Sequence, residues 1–406
     1  MKWFQSKFAA VAYLAGILII HGTVLWNARD LVRKGYPDFT IYYCAGTMVR
    51  QGLGHDLYDL YAQYHVQRTF APEVATRLAA LPYNHPPFEA LIFVPFSLFP
   101  YFTAFVLWGM VNFSLLLVSL FLLRTYLAEM QIFSWELWLL GSLAFFPIFF
   151  NLLQGQDSIL LLFLYAVALV CLKTNRDALA GGSLALGLFK PHLVLPFVLL
   201  WLVSGHKRLL RGFLPTAAGL IGVSVVVVGW AGFAAYPRYV VQLEETMARG
   251  AIMPSDMPNV RGIVYVLFHG SSLAAPIAIA ISIGIFLLTA WQCRQFTADL
   301  FRLRFVLAVV ATVLVSYHCL GYDLSILALP VALITAELQA NSFVGSARPI
   351  TIAALALLFF SPLQLFLLMR GNHLAIIGWA VALLMAGISM QAAYRPQQLP
   401  AAAKAL

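Results

Sequence analysis

The chain has 406 residues, of which 62% are hydrophobic, 14% aromatic and only 10% charged, against about 25% charged residues in a soluble domain. That balance excludes an ordinary soluble protein, a disordered chain, a collagen-like fibre and a disulfide scaffold, and it leaves a polytopic membrane protein. The net charge of +9 fits the basic cytoplasmic loops of such a protein, and no run of like charges calls for a nucleic acid as partner.

Residues 8–26, behind Lys2 and Lys7, form an apolar stretch too long for a secretory signal and lack a small-x-small cleavage pattern, so they read as the first span. Residues 27–84 are hydrophilic overall. Within them Phe39, Tyr42, Tyr43 and Met48, then Leu57, Tyr61, Tyr64 and Val66, recur at spacings of three or four, the pattern of helices lying flat on a membrane surface. Residues 86–99 are short for a span and contain Pro86, Pro87 and Pro95. Stretches able to cross a ~30 Å core follow at 102–123, 132–152, 159–172 and 209–230, then at 271–291, 305–317, 324–336, 350–369 and 374–390. Residues 179–202 are interrupted by Phe189-Lys190-Pro191-His192. A lysine and a proline in mid-bilayer are better placed at the tip of a hairpin of two half-length helices.

Charge sets the direction of the chain. If 86–99 re-enters or lies in the interface, Arg124, Lys173, Arg176, Lys207, Arg208, Arg211, Arg294, Arg302, Arg304 and Arg348 all fall on the side of Lys2 and Lys7, as the positive-inside rule demands. A full crossing would invert every later loop. The expectation is therefore one all-α domain over residues 1–406, a transmembrane helical bundle of about twelve crossings with both ends cytoplasmic. Its two outer loops are 27–84, with interfacial helices, and 231–270. No internal repeat of the kind that marks many secondary transporters is visible. Cys44, Cys171, Cys293 and Cys319 lie far apart without metal-like spacing and read as buried free thiols.

With this topology the unusual polar residues gather near the outer face. They are Asp38, Asn84-His85-Pro86-Pro87, Gly155-Gln156-Asp157, Lys190-Pro191-His192, Asn259 with Arg261, and His318 with Tyr322 and Asp323. A channel would spread such residues along a path across the bilayer, whereas these make a one-sided cavity. Each has a structural alternative. Asp38, after Pro37, suits an N-cap; the double proline suits a helix start; Asp157 suits a cap as well as a ligand contact. Lys190 is harder to explain structurally, because an ionisable residue between apolar helices is a functional candidate; pairing with Asp157 or Asp323 is the alternative. His21, in the first span, and His269 read as structural.

These residues also carry a resemblance. Asp38-Phe39 with Tyr42 and Ala45, the turn from Gly52 to Tyr58, His85-Pro86-Pro87-Phe88 running into Pro95-Phe96, Trp108 with Asn112, Gly155-Gln156, and Gly187 with Lys190-Pro191 follow an order and spacing. That order resembles the family 87 glycosyltransferases, integral-membrane enzymes of GT-C fold that include the mycobacterial polyprenyl-phosphomannose-dependent mannosyltransferases. Many members have a tyrosine where this chain has His85, and an asparagine near the position of Asp157.

The resemblance implies transfer of a sugar, a mannose-like hexose, from a polyprenyl-phosphate donor to an envelope lipid or glycan acceptor. Transfer would occur at the outer face of the cell membrane, with inversion at the anomeric carbon. The residue chemistry agrees. An acceptor hydroxyl needs a carboxylate at its proton, and Asp38 is the candidate base. Lys190 and Arg261 are candidates to meet the charge that develops on the departing phosphate. His85, Gln156, Asp157, His192, Asn259, His318, Tyr322 and Asp323 are candidate sugar or acceptor contacts, and the Tyr- and Phe-rich surface helices would take the polyprenyl tail among the membrane lipids. No cofactor is expected and no metal constellation is evident, with a divalent ion near Asp38 or Asp157 left open. Two readings compete: a transporter or lipid flippase, which predicts repeated halves, and a non-catalytic partner in a cell-envelope complex, which predicts a dispensable Asp38.

Overall fold

The computed structural model describes residues 2–75, 81–247, 253–297, 300–371 and 373–394. The parts of the two predicted outer loops at 76–80 and 248–252 lie outside the described residues. Among the described residues the structure is helical and contains no strand. Helix α1 (Lys2–Arg33) leads into the first hydrophilic segment, which folds as α2 (Phe39–Arg50) and α3 (Leu60–Phe70). After short helical turns between 87 and 98 come α4 (Tyr101–Tyr126), the bent pair α5 (Trp135–Ala144) and α6 (Phe146–Gln154), and α7 (Ser158–Lys173). The hairpin α8 (Asp177–Leu186) and α9 (Pro191–Val203) is followed by α10 (Leu210–Met247) and α11 (Val260–Leu267). The chain closes with α12 (Ala274–Gln295), α13 (Phe301–Val315), α14 (Ala328–Gln339), the bent pair α15 (Ala347–Phe359) and α16 (Ser361–Met369), and α17 (Ile377–Tyr394).

Among the described residues five helical stretches are long and apolar enough to cross a bilayer: Phe8–Arg33, Tyr101–Tyr126, Lys207–Leu243, Ala274–Gln295 and Leu374–Tyr394. The pairs α5–α6, bent by 64°, and α15–α16, bent by 52°, raise the number to seven. The count of about twelve is therefore not what helix length shows. It included α7, α8, α9, α13 and α14, which have 10 to 16 residues and at 1.5 Å per residue reach only ~15–24 Å.

Burial explains why those helices are short. Helices α1, α10 and α12 turn Phe8, Ile19, Trp26, Val226, Trp230, Leu287 and Trp291 outward, an apolar exterior suited to lipid. Helix α13 is instead buried at every position from Leu303 to Leu314, as expected of a helix that is apolar all round. Where the inner helices stop, irregular backbone lies sheltered by protein, the condition under which it is tolerated at depth. The stops before α7, before α9 and after α13 fall at one end of the bundle, joined through Asp157, Lys190 and Asp323. At the other end His206 lies 3.6 Å from Asp177 and 3.1 Å from Arg304, and Arg304 also donates to the Phe296 carbonyl. The α8–α9 hairpin breaks at the predicted Lys190. Its first arm is pressed against α10 through glycines: a Cβ on Gly181 would lie 1.9 Å from the Leu209 carbonyl oxygen, and one on Gly212 1.8 Å from that of Ala178, the small-residue contact of membrane helices.

The hydrophilic segments differ from the hydropathy reading. The aromatic stripe of α2 is present, but residues 39–48 are buried inside the protein. They pack with Phe93, Tyr101 and Trp108 in a second core instead of lying on a membrane surface. Helix α3 differs from α2 in leaving Leu60 and Tyr61 exposed. Gly229, at φ 72°, breaks α10 where the span was expected to end. The helix then continues over the first hydrophilic segment, where Tyr236 and Tyr239 pack on Tyr58 and the Tyr236 hydroxyl donates to the Asn84 carbonyl at 3.1 Å. Residues 87–98 hold only short turns of helix and do not form a span. His21 is structural, stacked on Phe149 and hydrogen-bonded to Ser361, and the four cysteines are free, with Cys171 only partly buried.

Candidate active site

The turn between α6 and α7 positions much of the site. Gly155 ends α6 in the left-handed conformation at φ 62°, and a Cβ there would lie 2.7 Å from that of Phe39 and 2.9 Å from the Phe105 ring. Only glycine meets both demands. The Trp108 indole N–H is shared by the carbonyls of Gly155 and Gln156, at 3.0 and 3.2 Å. Asn151 donates to the Gln156 carbonyl at 3.1 Å and accepts from the Ile159 amide at 3.3 Å. With its backbone satisfied in this way, the turn holds the side chains of Gln156 and Asp157 in fixed directions.

Asp38 stands at the start of α2, but its side chain makes no capping bond, which removes the simplest structural reading. Its amide donates to Gln154 Oε1 at 3.2 Å, and its Oδ2 accepts from Gln156 Nε2 at 2.7 Å. Gln156 Oε1 accepts in turn from the Tyr42 hydroxyl at 2.6 Å, and that hydroxyl lies 3.3 Å from His85 Nε2. Tyr322 faces Asp38 as a second donor. Burial pushes the Asp38 carboxyl above its ordinary range, and the hydrogen bond from Gln156 works against that rise. A carboxylate so poised holds a proton more strongly than a free one while staying fixed in direction.

Lys190 precedes Pro191, the first residue of α9, and is 3% exposed. Its ammonium lies 2.6 Å from Asp323 Oδ1 and 2.9 Å from Asp157 Oδ1, with the Tyr322 ring centroid 5.0 Å away. Asp323 is completed by the Ser158 hydroxyl at 3.0 Å and the Leu320 amide at 2.8 Å. Asp157 makes no side-chain cap on α7. The structural alternative for Lys190 is thus what the geometry displays: one ammonium ties together the starts of α7 and α9 and the turn after α13. A donor phosphate would have to share a cation that already has two carboxylates.

The remaining predicted residues sit around this core. The His192 and His318 rings meet edge to face at 5.8 Å, and His192 Nε2 is buried without a hydrogen-bond partner among the described residues. Asn259 is fully buried. It caps α11 by accepting from the Gly262 amide at 3.0 Å and donates to the Ser316 carbonyl at 2.7 Å, so its amide serves the backbone rather than a sugar. Arg261 lies 4.0 Å over the Tyr317 ring and donates to the Tyr317 carbonyl at 3.1 Å, one residue before His318.

One acid was not anticipated. Glu89 is fully buried, with Oε2 2.9 Å from His85 Nδ1. Side-chain donor atoms of His85, Glu89 and Asp157 lie within 4.8 Å of one another. The rule that singled out Lys190, an ionisable residue in an apolar segment, applies equally to Pro87-Phe88-Glu89-Ala90-Leu91.

Residues 83–316, more than half of the chain, match the family model described as Glycosyltransferase family 87. The chain belongs to glycosyltransferase family 87. No curated protein and no solved structure matches it. Membership makes the protein a glycosyltransferase and sets aside the transporter reading; its apolar helices make it a multi-pass membrane protein. The matched stretch of this family 87 member carries His85, Glu89, Gln156, Asp157, Lys190 and Arg261. Asp38 and the turn with Tyr322 and Asp323 fall outside it, and folding brings them to the same place.

Proposed function

We propose that this glycosyltransferase moves a mannose-like hexose from a polyprenyl-phosphate donor to an envelope lipid or glycan acceptor, with inversion, at the extracytoplasmic face of the cell membrane. The observation that carries the reading is the carboxylate of Asp38: it has no capping duty, is oriented by Gln156 at 2.7 Å, and lies in a cluster where the inner helices stop short. In the proposed reaction the acceptor hydroxyl oxygen attacks the anomeric carbon as Asp38 takes its proton. The bond from that carbon to the phosphate oxygen breaks, and the electron pair leaves with the phosphate. Arg261, near His318, is the cation proposed to meet the phosphate, where a fixed charge in a low-dielectric setting stabilises the leaving group. Lys190 acts through Asp157 and Asp323, holding the floor of the site.

The direction of the chain supports the outer placement. When the short inner helices are counted as membrane passes, the chain makes twelve with both ends cytoplasmic. The loops at the end opposite Asp38, bearing Arg176, Lys207, Arg208, Arg302 and Arg304, then face the cytoplasm. An apolar groove lined by Pro95, Phe96, Phe99, Leu107 and Met110 on the lipid side of α4 suits the polyprenyl tail better than α2, whose aromatic residues are buried. The test is to incubate the purified protein with a panel of polyprenyl-phosphate sugars and an envelope lipid extract, and to identify the consumed donor by mass spectrometry. Release of polyprenyl phosphate from one hexose donor is expected. Consumption of a nucleotide sugar with every polyprenyl donor left intact would refute the proposal.

A further inference from the structure

We propose that His85, Glu89 and Asp157 form a binding site for a divalent transition-metal cation such as Mn²⁺. The donor atoms of the three side chains lie within 4.8 Å of one another, and cation–ligand distances of about 2.0–2.6 Å allow ligand atoms to stand up to about 5 Å apart. Glu89 Oε1 and Asp157 Oδ2 are buried and receive no N–H or hydroxyl donor among the described residues; the two carboxyl groups face each other closely enough to share a proton when no cation is bound. Lys190 sits on Oδ1 of Asp157 and leaves the other oxygen to the cluster. An unpaired buried carboxylate oxygen is costly, and a cation is the partner that removes the cost for two such oxygens at once.

The charge count points the same way. Glu89, Asp157 and Asp323 are all buried near Lys190, the one buried ammonium among the described residues. Buried carboxylates must be compensated, and a divalent cation, in place of a proton shared by Glu89 and Asp157, does so. His85 offers a neutral imidazole nitrogen, a donor type that divalent transition metals take readily. The Tyr42 hydroxyl lies 3.3 Å from Nε2 and can accept a proton held there. That leaves the lone pair of Nδ1, the nitrogen 2.9 Å from Glu89, directed at the carboxylates, as outer partners commonly orient ligating histidines. One imidazole with two carboxylates is a donor set for a borderline cation such as Mn²⁺ rather than for Ca²⁺, which takes oxygen ligands.

The inference does not depend on the sugar-transfer reading, because metal binding is measured without donor or acceptor. Full-length protein in detergent, stripped with a chelator, is titrated with Mn²⁺ alone while electron paramagnetic resonance follows free Mn²⁺. One equivalent should bind, with nitrogen coupling from the imidazole visible in the spin echo. Glu89→Gln and Asp157→Asn should weaken binding by at least about tenfold, a change of 1.4 kcal/mol, while Asp177→Asn, at the opposite end of the bundle, should bind within about twofold of the parent chain. If a cluster variant fails to fold, the parent chain still decides, since a ligand of the native state raises its melting temperature in proportion to the logarithm of ligand concentration. Absence of binding by the parent chain, absence of nitrogen coupling, or unchanged binding by folded Glu89→Gln would each overturn the site.

Discussion

At one end of the bundle Lys190 lies between Asp157 and Asp323, with all three side chains at most 4% exposed. At the other end His206 faces Asp177 with 28% and 16% of their side chains exposed, and Arg302 pairs with Glu337 at 28% and 7%. The chemistry of the partners is similar, yet water reaches His206, Asp177 and Arg302 in the second set and none of the first. Exposed pairs of this kind contribute about 0–1 kcal/mol, whereas removing one partner of a buried pair costs about 3–5 kcal/mol because a charge is left alone. The difference teaches which charges to interpret. Those in the wet loops record the direction of the chain, and those sunk among helices record a site.

The largest effect is expected at the acidic end. Asp38→Asn should lower turnover by roughly 10²–10⁴-fold, the usual contribution of general-base catalysis. It should leave the melting temperature nearly unchanged, since Asp38 caps nothing. Turnover by Asp38→Asn close to that of the parent chain, measured on folded protein, would remove Asp38 from the mechanism. Lys190→Met is expected to act on stability, by about 3–5 kcal/mol, through Asp157 and Asp323 left buried without their ammonium. Melting of the detergent-solubilised variant checks this; a variant as stable as the parent that loses only donor affinity would return Lys190 to the phosphate role.

A smaller effect concerns pH. Transfer needs Asp38 ionised, and burial raises its proton affinity, so the rate should climb as pH rises through a midpoint above the ordinary aspartate value of about 3.9 and then level off. A rate independent of pH down to pH 4 would contradict the assignment. The smallest effect is expected at the opposite end. His206→Ala breaks a partly exposed pair with Asp177, a contact with Arg304 and the packing of its ring on Trp201, and should cost about 1 kcal/mol. A loss as large as that of Lys190→Met would erase the contrast between the two ends.

Much of the arrangement was legible in the sequence. The hairpin broken at Lys190 followed from the rule that polar residues in apolar segments have a reason to be there, and the convergence of Asp38, Gln156, Asp157, Tyr322 and Asp323 followed from that rule together with the bias of the basic loops. The number of long spans did not follow, because hydropathy is as high in α13, enclosed by protein, as in α12, facing lipid, and only packing distinguishes them. Burial of α2 was hidden for the same reason. Asn259 was misread through a neglected local signal: an asparagine directly before an apolar run is an N-cap pattern. Glu89 was missed although it satisfied the rule that found Lys190.

The Asp38 cluster is proposed to open to the extracytoplasmic side, and the sidedness of thiol labelling decides it. Exposed Tyr61 on α3 belongs to the segment that carries Asp38, and exposed Lys207 to the opposite end. Tyr61→Cys and Lys207→Cys are placed separately in a chain with Cys44, Cys171, Cys293 and Cys319 replaced. Each is exposed to a membrane-impermeant maleimide in intact cells. Tyr61→Cys should label at once and Lys207→Cys only after permeabilisation; labelling of Lys207→Cys in intact cells with Tyr61→Cys protected would overturn the outer placement.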